Sequence, residues 1–294
     1  MKTNNARSRA YKIFSIVVLV ILAILFLFPL YWIITGAFKP ATDIYAQKPV
    51  WWPSEWVSTN FQNLFKKRTA PLFSIFGMEG PVAPAAFRWL INTVFMSVTA
   101  MLLTCATAAM AGYALAKKRF AGRAILFSLI VCAMALPKQV ILIPLLKEMS
   151  SLHLYDSLWA VIFPTVGWPF GVFLMKQFSE SIPGEILEAT RIDGASEAKT
   201  FVTVVLPMVK PGIGALAIFT FINAWNDYFM QLVMLPSGNN YTMPLGIASL
   251  QAETSVDMGL LMAGAALASV PIIIVFLIFQ KYFTQGITMG AVKG

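Results

Sequence analysis

From Ile13 to Phe38 the chain carries no charged side chain over 26 residues, and Lys2, Arg7, Arg9 and Lys12 stand just before this run. About 20 apolar residues in a helix cross the roughly 30 Å of hydrocarbon in a bilayer. Lipid offers the backbone no hydrogen-bond partners, so such a run folds as a transmembrane helix. A cleavable signal has a shorter apolar stretch, about 7–15 residues, followed by small residues. This run is longer and closes on Phe28-Pro29-Leu30-Tyr31-Trp32, so it reads as a retained span.

The pattern recurs. Of 294 residues, 58% are hydrophobic and 12% charged, against about 25% charged in a soluble domain. Apolar stretches at Trp89–Ala114, Ala124–Leu146, Ser157–Met175, Ile213–Leu235 and Met258–Phe279 bring the expected spans to six. The fold class is therefore an all-α integral membrane protein with six transmembrane helices. Pro137-Lys138 interrupts the third span, and Pro164, Gly167, Pro169 and Gly171 predict a kink in the fourth. Such breaks survive where neighbouring helices or a water-filled cavity satisfy the freed backbone groups, which fits either a pathway or a packed kink. Cys105 and Cys132 fall inside apolar spans and read as small core residues, with no disulfide framework or metal spacing.

The net charge of +9 lies in short clusters between apolar runs. That arrangement orients a protein in a membrane and does not build a groove for nucleic acid. The N-terminus, the second loop (Lys117, Lys118, Arg119, Arg123), the fourth loop (Lys176, Arg191, Lys199, Lys210) and the tail (Lys281, Lys293) hold 14 of the 22 Lys and Arg. All of these lie on one side of a six-span chain, and the positive-inside rule makes that side cytoplasmic, both termini included. The long outer loop carries Trp51, Trp52, Pro53 and Trp56, which suit an interfacial belt or a contact for a substrate-delivering protein. Asn60 to Lys66 has the pattern of a short amphipathic helix lying on the membrane.

Several chemistries are excluded. Gly is never followed by Lys, so the phosphate-cradling G-x-x-x-x-G-K-[S/T] sequence is absent. His153 is the sole histidine and has no Cys or carboxylate at metal spacing. The spans are nearly bare of ionisable groups: Lys138 sits at the break in the third and Asp227 near the outer end of the fifth. That argues against ion-coupled transport and leaves the energy to come from outside the chain.

One charged island remains, Glu188-Ala189-Thr190-Arg191-Ile192-Asp193-Gly194, followed by Val204-Val205-Leu206-Pro207. Pro183 suits a first helical turn, Glu185 and Glu188 complement the helix dipole, and Gly194 suits a left-handed end. Ser196 is the expected cap of a second helix, which Pro207 stops. Glu185, Glu188 and Ile192 share one face of the first helix. A solvated loop is disfavoured, because Ile186, Leu187, Ile192, Phe201 and Val202 need burial against something.

The spacing Glu188-Ala189-Thr190, three residues, Gly194, nine residues, Val204-x-Leu206-Pro207 resembles the E-A-A-x3-G-x9-I-x-L-P motif of permease subunits in binding-protein-dependent ABC importers. Thr stands for the second Ala and Val for Ile. Asn223-Ala224-Trp225-Asn226-Asp227-Tyr228 and the ending Gln280 to Gly294 are similar to the maltose-permease-like carbohydrate subfamily, of the shorter, G-subunit-like type.

The resemblance implies a type I importer permease fold in the plasma (inner) membrane, a non-catalytic subunit that translocates a mono- or oligosaccharide. Its implied partners are a sister permease subunit, two ABC ATPase subunits that bind the ATP and Mg, an extracytoplasmic sugar-binding protein and membrane lipid. No cofactor or metal is expected on this chain. Carried over, Glu188, Ala189, Thr190, Asp193, Gly194, Leu206 and Pro207 would couple the ATPase to the spans. The tail from Gln285 to Gly294 would reach the ATPase pair. The implied organisation is a cytoplasmic N-terminus (1–12), a first span (13–37), an extracytoplasmic loop (38–87), an importer core of five helices (88–280) with the coupling loop at 176–210, and a cytoplasmic tail (281–294). Asn226, Asp227 and Tyr228 are candidate pathway residues, since polar groups near a span's outer end suit hydroxyl ligands, though a structural hydrogen bond also explains them. Ser237, Gly238, Asn239, Asn240 and Tyr241, in the loop Pro236–Asp257, are candidates for contacting the binding protein, or form an ordinary turn.

Overall fold

The computed structural model describes residues 3–72, 74–75, 78–252 and 256–291. The described residues are mostly helical. Helix α1 (Thr3–Ala37), α2 (Ala41–Ile44) and α3 (Thr59–Lys67) lead to a small nested hairpin. Its strands, β1 (Thr69–Pro71), β2 (Ser74–Ile75), β3 (Met78–Glu79) and β4 (Val82–Pro84), pair first with last and second with third. Then follow α4 (Ala85–Lys117), α5 (Arg123–Ala133), α6 (Lys138–Ser151), α7 (Trp159–Val166), α8 (Pro169–Glu180), α9 (Gly184–Ile192) and α10 (Glu197–Thr200). A π-helical turn, Phe201–Val205, joins α10 to α11 (Leu206–Met208). The chain ends with α12 (Lys210–Asn226), α13 (Tyr228–Met234), α14 (Met243–Gln251) and α15 (Met258–Ala291).

Among the described residues four helical stretches are long and apolar enough to cross a membrane: Tyr11–Ala37, Ala85–Lys117, Trp159–Glu180 and Met258–Lys281. The expected six are reached when two bent pairs are each taken as one span. One pair is α5 with α6, bent by 106° at the break before Lys138. The residue ahead of a proline is driven out of the α region, so Leu136-Pro137 opens the helix there. The fourth span is α7 and α8, separated at Gly167-Trp168. The fifth crossing begins at Lys210, after a 76° bend at Val209.

Three expectations need correction. Pro207 does not stop the second short helix. Glu197–Met208 runs as one helix through the π-helical turn ahead of Pro207, and the bend falls two residues after this proline, at Val209 before Lys210-Pro211. The boundary expected at residue 281 is not a break in the backbone, because α15 continues to Ala291. The stretch Pro236–Asp257 is no simple loop either, for it folds Met243–Gln251 as a helix and buries Met243, Leu245 and Leu250.

The chain falls into two compact units. The first takes in the chain to Thr69, with Pro84–Ala86 and Ile247–Ser269. Within it α1 turns Ile16, Leu19, Leu25 and Phe26 outward, as a lipid- or partner-facing helix must. Asn60 on α3 is buried and donates to the carbonyls of Ala37 and Lys39 at 3.0 and 2.8 Å, which ties off the end of α1. The helix expected at Asn60 to Lys66 therefore forms, but its inner face, Asn60 and Leu64, docks on protein and not on lipid. Trp51, Trp52 and Trp56 remain exposed, Trp51 packing on Phe28 and Trp32 at 5.9 Å between ring centres.

The second unit comprises Ala70–Ala83, Phe87–Gly246 and the chain from Val270. Its core includes the following two clusters. One joins Met96 and Ala100 on α4 to Leu142 and Met149 on α6, Ala160–Ile162 on α7, and Met230 and Met234 on α13. The other joins Ala108, Ala109 and Tyr113 on α4 to Met175 and Phe178 on α8, and to Leu216 on α12. Gly112 lets α4 touch the α8 backbone, since a Cβ there would lie 2.6 Å from Met175 C and Lys176 N. Cys105 is half-buried beside Ile213, whereas Cys132 is exposed on α5 and is not a core residue. A free thiol behaves as a small hydrophobe, so an outward apolar face holds it as readily as a core does.

Candidate functional site

The segment from Pro183 to Val209 is a helix–turn–helix built from local signals. Pro183 caps α9 from one position outside the helix, and Glu185 lies in its first turn. Gly194 adopts φ +71°, the left-handed region that favours glycine. Around it Ala195 N–H donates to Thr190 O and Gly194 N–H to Arg191 O, both at 3.0 Å, a Schellman closure that satisfies the last carbonyls of α9. Ser196 caps α10 by accepting from Lys199 N–H at 3.3 Å. Thr190, which replaces an alanine of the motif, donates to Leu187 O at 2.8 Å and accepts from the buried Thr200 hydroxyl at 3.3 Å.

This segment has two faces. On the inner one Leu187, Val205 and Val209 are buried with Tyr113, Met175, Phe178 and Ile182, and Phe201 and Leu206 pack on the same cluster. On the outer one Glu185, Glu188, Ala189, Asp193 and Pro207 are exposed, and Ile192 is 86% exposed. The expectation that all the apolar residues here need burial is thus met only in part by the chain itself. Leu187 and Phe201 are covered, while Ile186, Ile192 and Val202 are not.

Charged groups lock the inner face, and sequence reasoning used them only for orientation. Glu197 pairs with Lys118 at the end of α4, accepts from the Tyr113 hydroxyl at 3.4 Å and lies 3.6 Å from Arg191. The Lys118 hydrogen bond holds the Glu197 carboxyl below its usual range. Desolvation opposes this, and the charges of Lys118 and Arg191 and the Tyr113 hydroxyl add to the lowering. Lys117 donates to the carbonyls of Glu180 and Ile182 at 3.0 and 2.6 Å, covering the open end of α8. A rigid segment with a locked inner face and an open outer face can pass a displacement applied outside to α4, α8 and α12 together.

The second group of predicted residues lies at the break between α12 and α13. Asp227 caps α13 by accepting from Met230 N–H at 3.3 Å, and accepts from Lys138 Nζ at 3.0 Å. Two interrupted helices therefore meet in one ion pair, which spacing along the chain could not reveal. Asn226 donates to Ile222 O, and Tyr228 and Phe229 are exposed. Beneath them the fully buried Gln231 donates to Ala224 O at 2.9 Å and accepts from Thr242, holding the freed backbone of the break.

The predicted contact residues Ser237, Gly238 and Asn239 are exposed, while Asn240 and Tyr241 are half-buried. They are anchored rather than free. Asp156, at φ +57°, accepts from Ser237 N–H and Asn240 Nδ2 at 3.2 Å, and Asn92 donates to Tyr241 O at 2.9 Å. The predicted tail contact, Gln285 to Gly294, has its side chains outside the described residues. Among the described residues no group of three His, Cys, Asp or Glu could hold a metal ion.

Residues 107–289 match the family described as "Binding-protein-dependent transport system inner membrane component". Over 294 residues, all of both chains, the protein is 31% identical to the arabinooligosaccharides transport system permease protein AraQ of Bacillus subtilis (strain 168). It is 30% identical to the diacetylchitobiose uptake system permease protein DasC of Streptomyces coelicolor, covering 98% of this chain and 99% of that one. Its fold resembles a chain of a bacterial ABC transporter involved in alginate import, at TM-score 0.77 and 22% identity, over 94% of this chain and 97% of the other. The matched region contains the helix–turn–helix, both broken spans and the Asn226–Tyr228 stretch. The chain belongs to the family of binding-protein-dependent transport system inner membrane components, with the fold of an ABC importer permease.

Proposed function

We propose that this chain is the permease subunit of an ATP-driven importer that carries a carbohydrate, a mono- or oligosaccharide, into the cytoplasm. It pairs with a sister permease subunit and works with two ATPase subunits and an extracytoplasmic sugar-binding protein. ATP and Mg are bound by the ATPases, and this chain holds no cofactor. The observation that carries the reading is the two-faced segment: its inner residues are bound into the core, and Glu185, Glu188 and the apolar Ile192 stand open. An exposed isoleucine flanked by carboxylates suits a protein partner, because apolar surface gains by burial and acidic groups pair with basic ones. Glu188, Ala189, Asp193 and Gly194 then meet the ATPase, while Thr190, Leu206 and Pro207 hold the segment in shape.

The Lys and Arg distribution supports a cytoplasmic side for this segment and both termini. The relatives named for arabinooligosaccharide and diacetylchitobiose transport support a saccharide cargo. Asn226, Asp227 and Tyr228 line the path, and Ser237 to Tyr241 form a fixed outer platform for the binding protein. Vesicles carrying the co-expressed complex should take up the saccharide held by the binding protein only when ATP is inside. Uptake that persists without the ATPases and collapses with an ionophore would show a secondary transporter instead.

A further inference from the structure

The ion pair between Lys138 and Asp227 has a setting that its partners alone do not explain. Lys138 opens α6 after the 106° bend, and Asp227 sits where α12 gives way to α13. The Lys138 side chain is 52% exposed and that of Asp227 17% exposed. Around them Pro137 and Asn226 are exposed, as are the aromatic rings of Tyr228 and Phe229. A charge pair with half of one partner uncovered is costly against lipid and survives where water reaches it. One ammonium N–H is used on Asp227, which leaves donors free, and Asp227 has both carboxylate oxygens engaged.

We infer that Lys138 and Asp227 line the aqueous pathway as a charge-neutral pair that offers hydrogen bonds to an uncharged, hydroxyl-rich solute and gives an anion no electrostatic advantage. The inference rests on the permease reading and names the specificity of that path. The free ammonium donors and the neighbouring Asn226 offer hydrogen bonds to hydroxyl groups, and the exposed rings offer flat apolar faces to a solute's C–H surface. With zero net charge, the wall neither concentrates anions nor repels them. Removal of either partner leaves a lone charge, and the wall acquires a sign.

The test needs no knowledge of the cargo. In the full chain co-expressed with its partners, C105A and C132A remove the native thiols and N226C places one beside the pair. The rates of modification of Cys at this site by a cationic and an anionic methanethiosulfonate reagent are then read from the mass of this chain. The expected result is reaction with both reagents. The anionic-to-cationic rate ratio should rise about tenfold with D227N and fall about tenfold with K138Q, as a lone nearby charge dictates. If N226C fails to assemble, Y228C serves the same purpose. No reaction with either reagent, or a ratio that neither substitution moves, overturns the inference. ATP-dependent uptake by vesicles carrying the unsubstituted chain with its partners, without reagent, reports separately on the permease reading, so the two can fail independently.

Discussion

The hydroxyl of Thr200 donates to the hydroxyl of Thr190 at 3.3 Å, stitching the two helices of the helix–turn–helix across the Gly194 turn. Thr200 is 4% exposed, so it has no water to replace this partner. Thr190→Ala should therefore destabilise the chain by about 1 kcal/mol, the usual cost of stranding a buried hydroxyl. The double variant T190A/T200V, which removes both partners, should recover part of the loss. Thermal unfolding of the purified complex in detergent checks this, and equal midpoints for T190A and wild type would show that the bond contributes nothing.

Gly194→Pro should separate ATP hydrolysis from uptake. Proline cannot adopt the φ of +71° seen here, and it removes the N–H that closes α9 on Arg191 O. ATPase activity in vesicles should persist while transport falls by at least tenfold. Gly194→Ala, which strains the turn by about 1 kcal/mol, should give an intermediate loss.

Glu188→Lys tests the open face alone. Glu188 is exposed, and its side chain makes no hydrogen bond or ion pair among the described residues, so the thermal midpoint should stay within about 1 °C, as for surface substitutions generally. Uptake should drop severalfold and the ATPase should co-purify less well. Normal transport by this variant would remove the coupling role from this face.

Glu197 gives a pH prediction. Its carboxyl is held below the usual range by Lys118 first, so the group stabilises the fold above the unfolded value of about 4.3 and loses that contribution as pH falls through the lower folded value. At neutral pH, Glu197→Gln should lower the thermal midpoint. Between pH 5 and 8 the gap to wild type should be constant, and it should close as the pH is taken below about 4. A gap that widens on acidification would mean the carboxylate is not what holds Lys118.

Gly112→Val should fail where Gly122→Ala is mild. At Gly112 an added carbon meets the backbone of Met175 and Lys176, which cannot yield like a side-chain tip, whereas one at Gly122 meets no atom of the described residues within 4 Å. Overpacking of this kind costs about 1–3 kcal/mol. Gly122 has φ +80°, so alanine there costs only the strain of about 1 kcal/mol. Yields of folded complex by size-exclusion chromatography should rank the variants in that order.

Local elements proved legible where their causes lie within a few residues. The length of the run before Phe38 sets α1, Gly194 sets the end of α9, and Ser196 sets the start of α10, as spacing indicates. Pro207 misled by a small margin: the helix that begins at Glu197 passes through a π-helical turn, takes in this proline and ends at Met208. Met243–Gln251 was hidden inside an apparent loop, since nine residues without a charge read alike as loop or helix until Leu245 and Leu250 find a core.

The amino-acid order by itself determined that this chain enters a membrane, that it breaks its third and fourth spans, and that a capped, charged helix–turn–helix interrupts the apolar pattern. Each follows from the solvation of short runs and from the backbone freedom of single residues. Only the tertiary structure decided which residues meet. Lys138 reaches Asp227 across 89 positions, Asp156 holds Asn240 across 84, and Lys118 closes on Glu197. Such pairs depend on how helices pack, and a sum over many small contacts settles that packing. No single residue announces it.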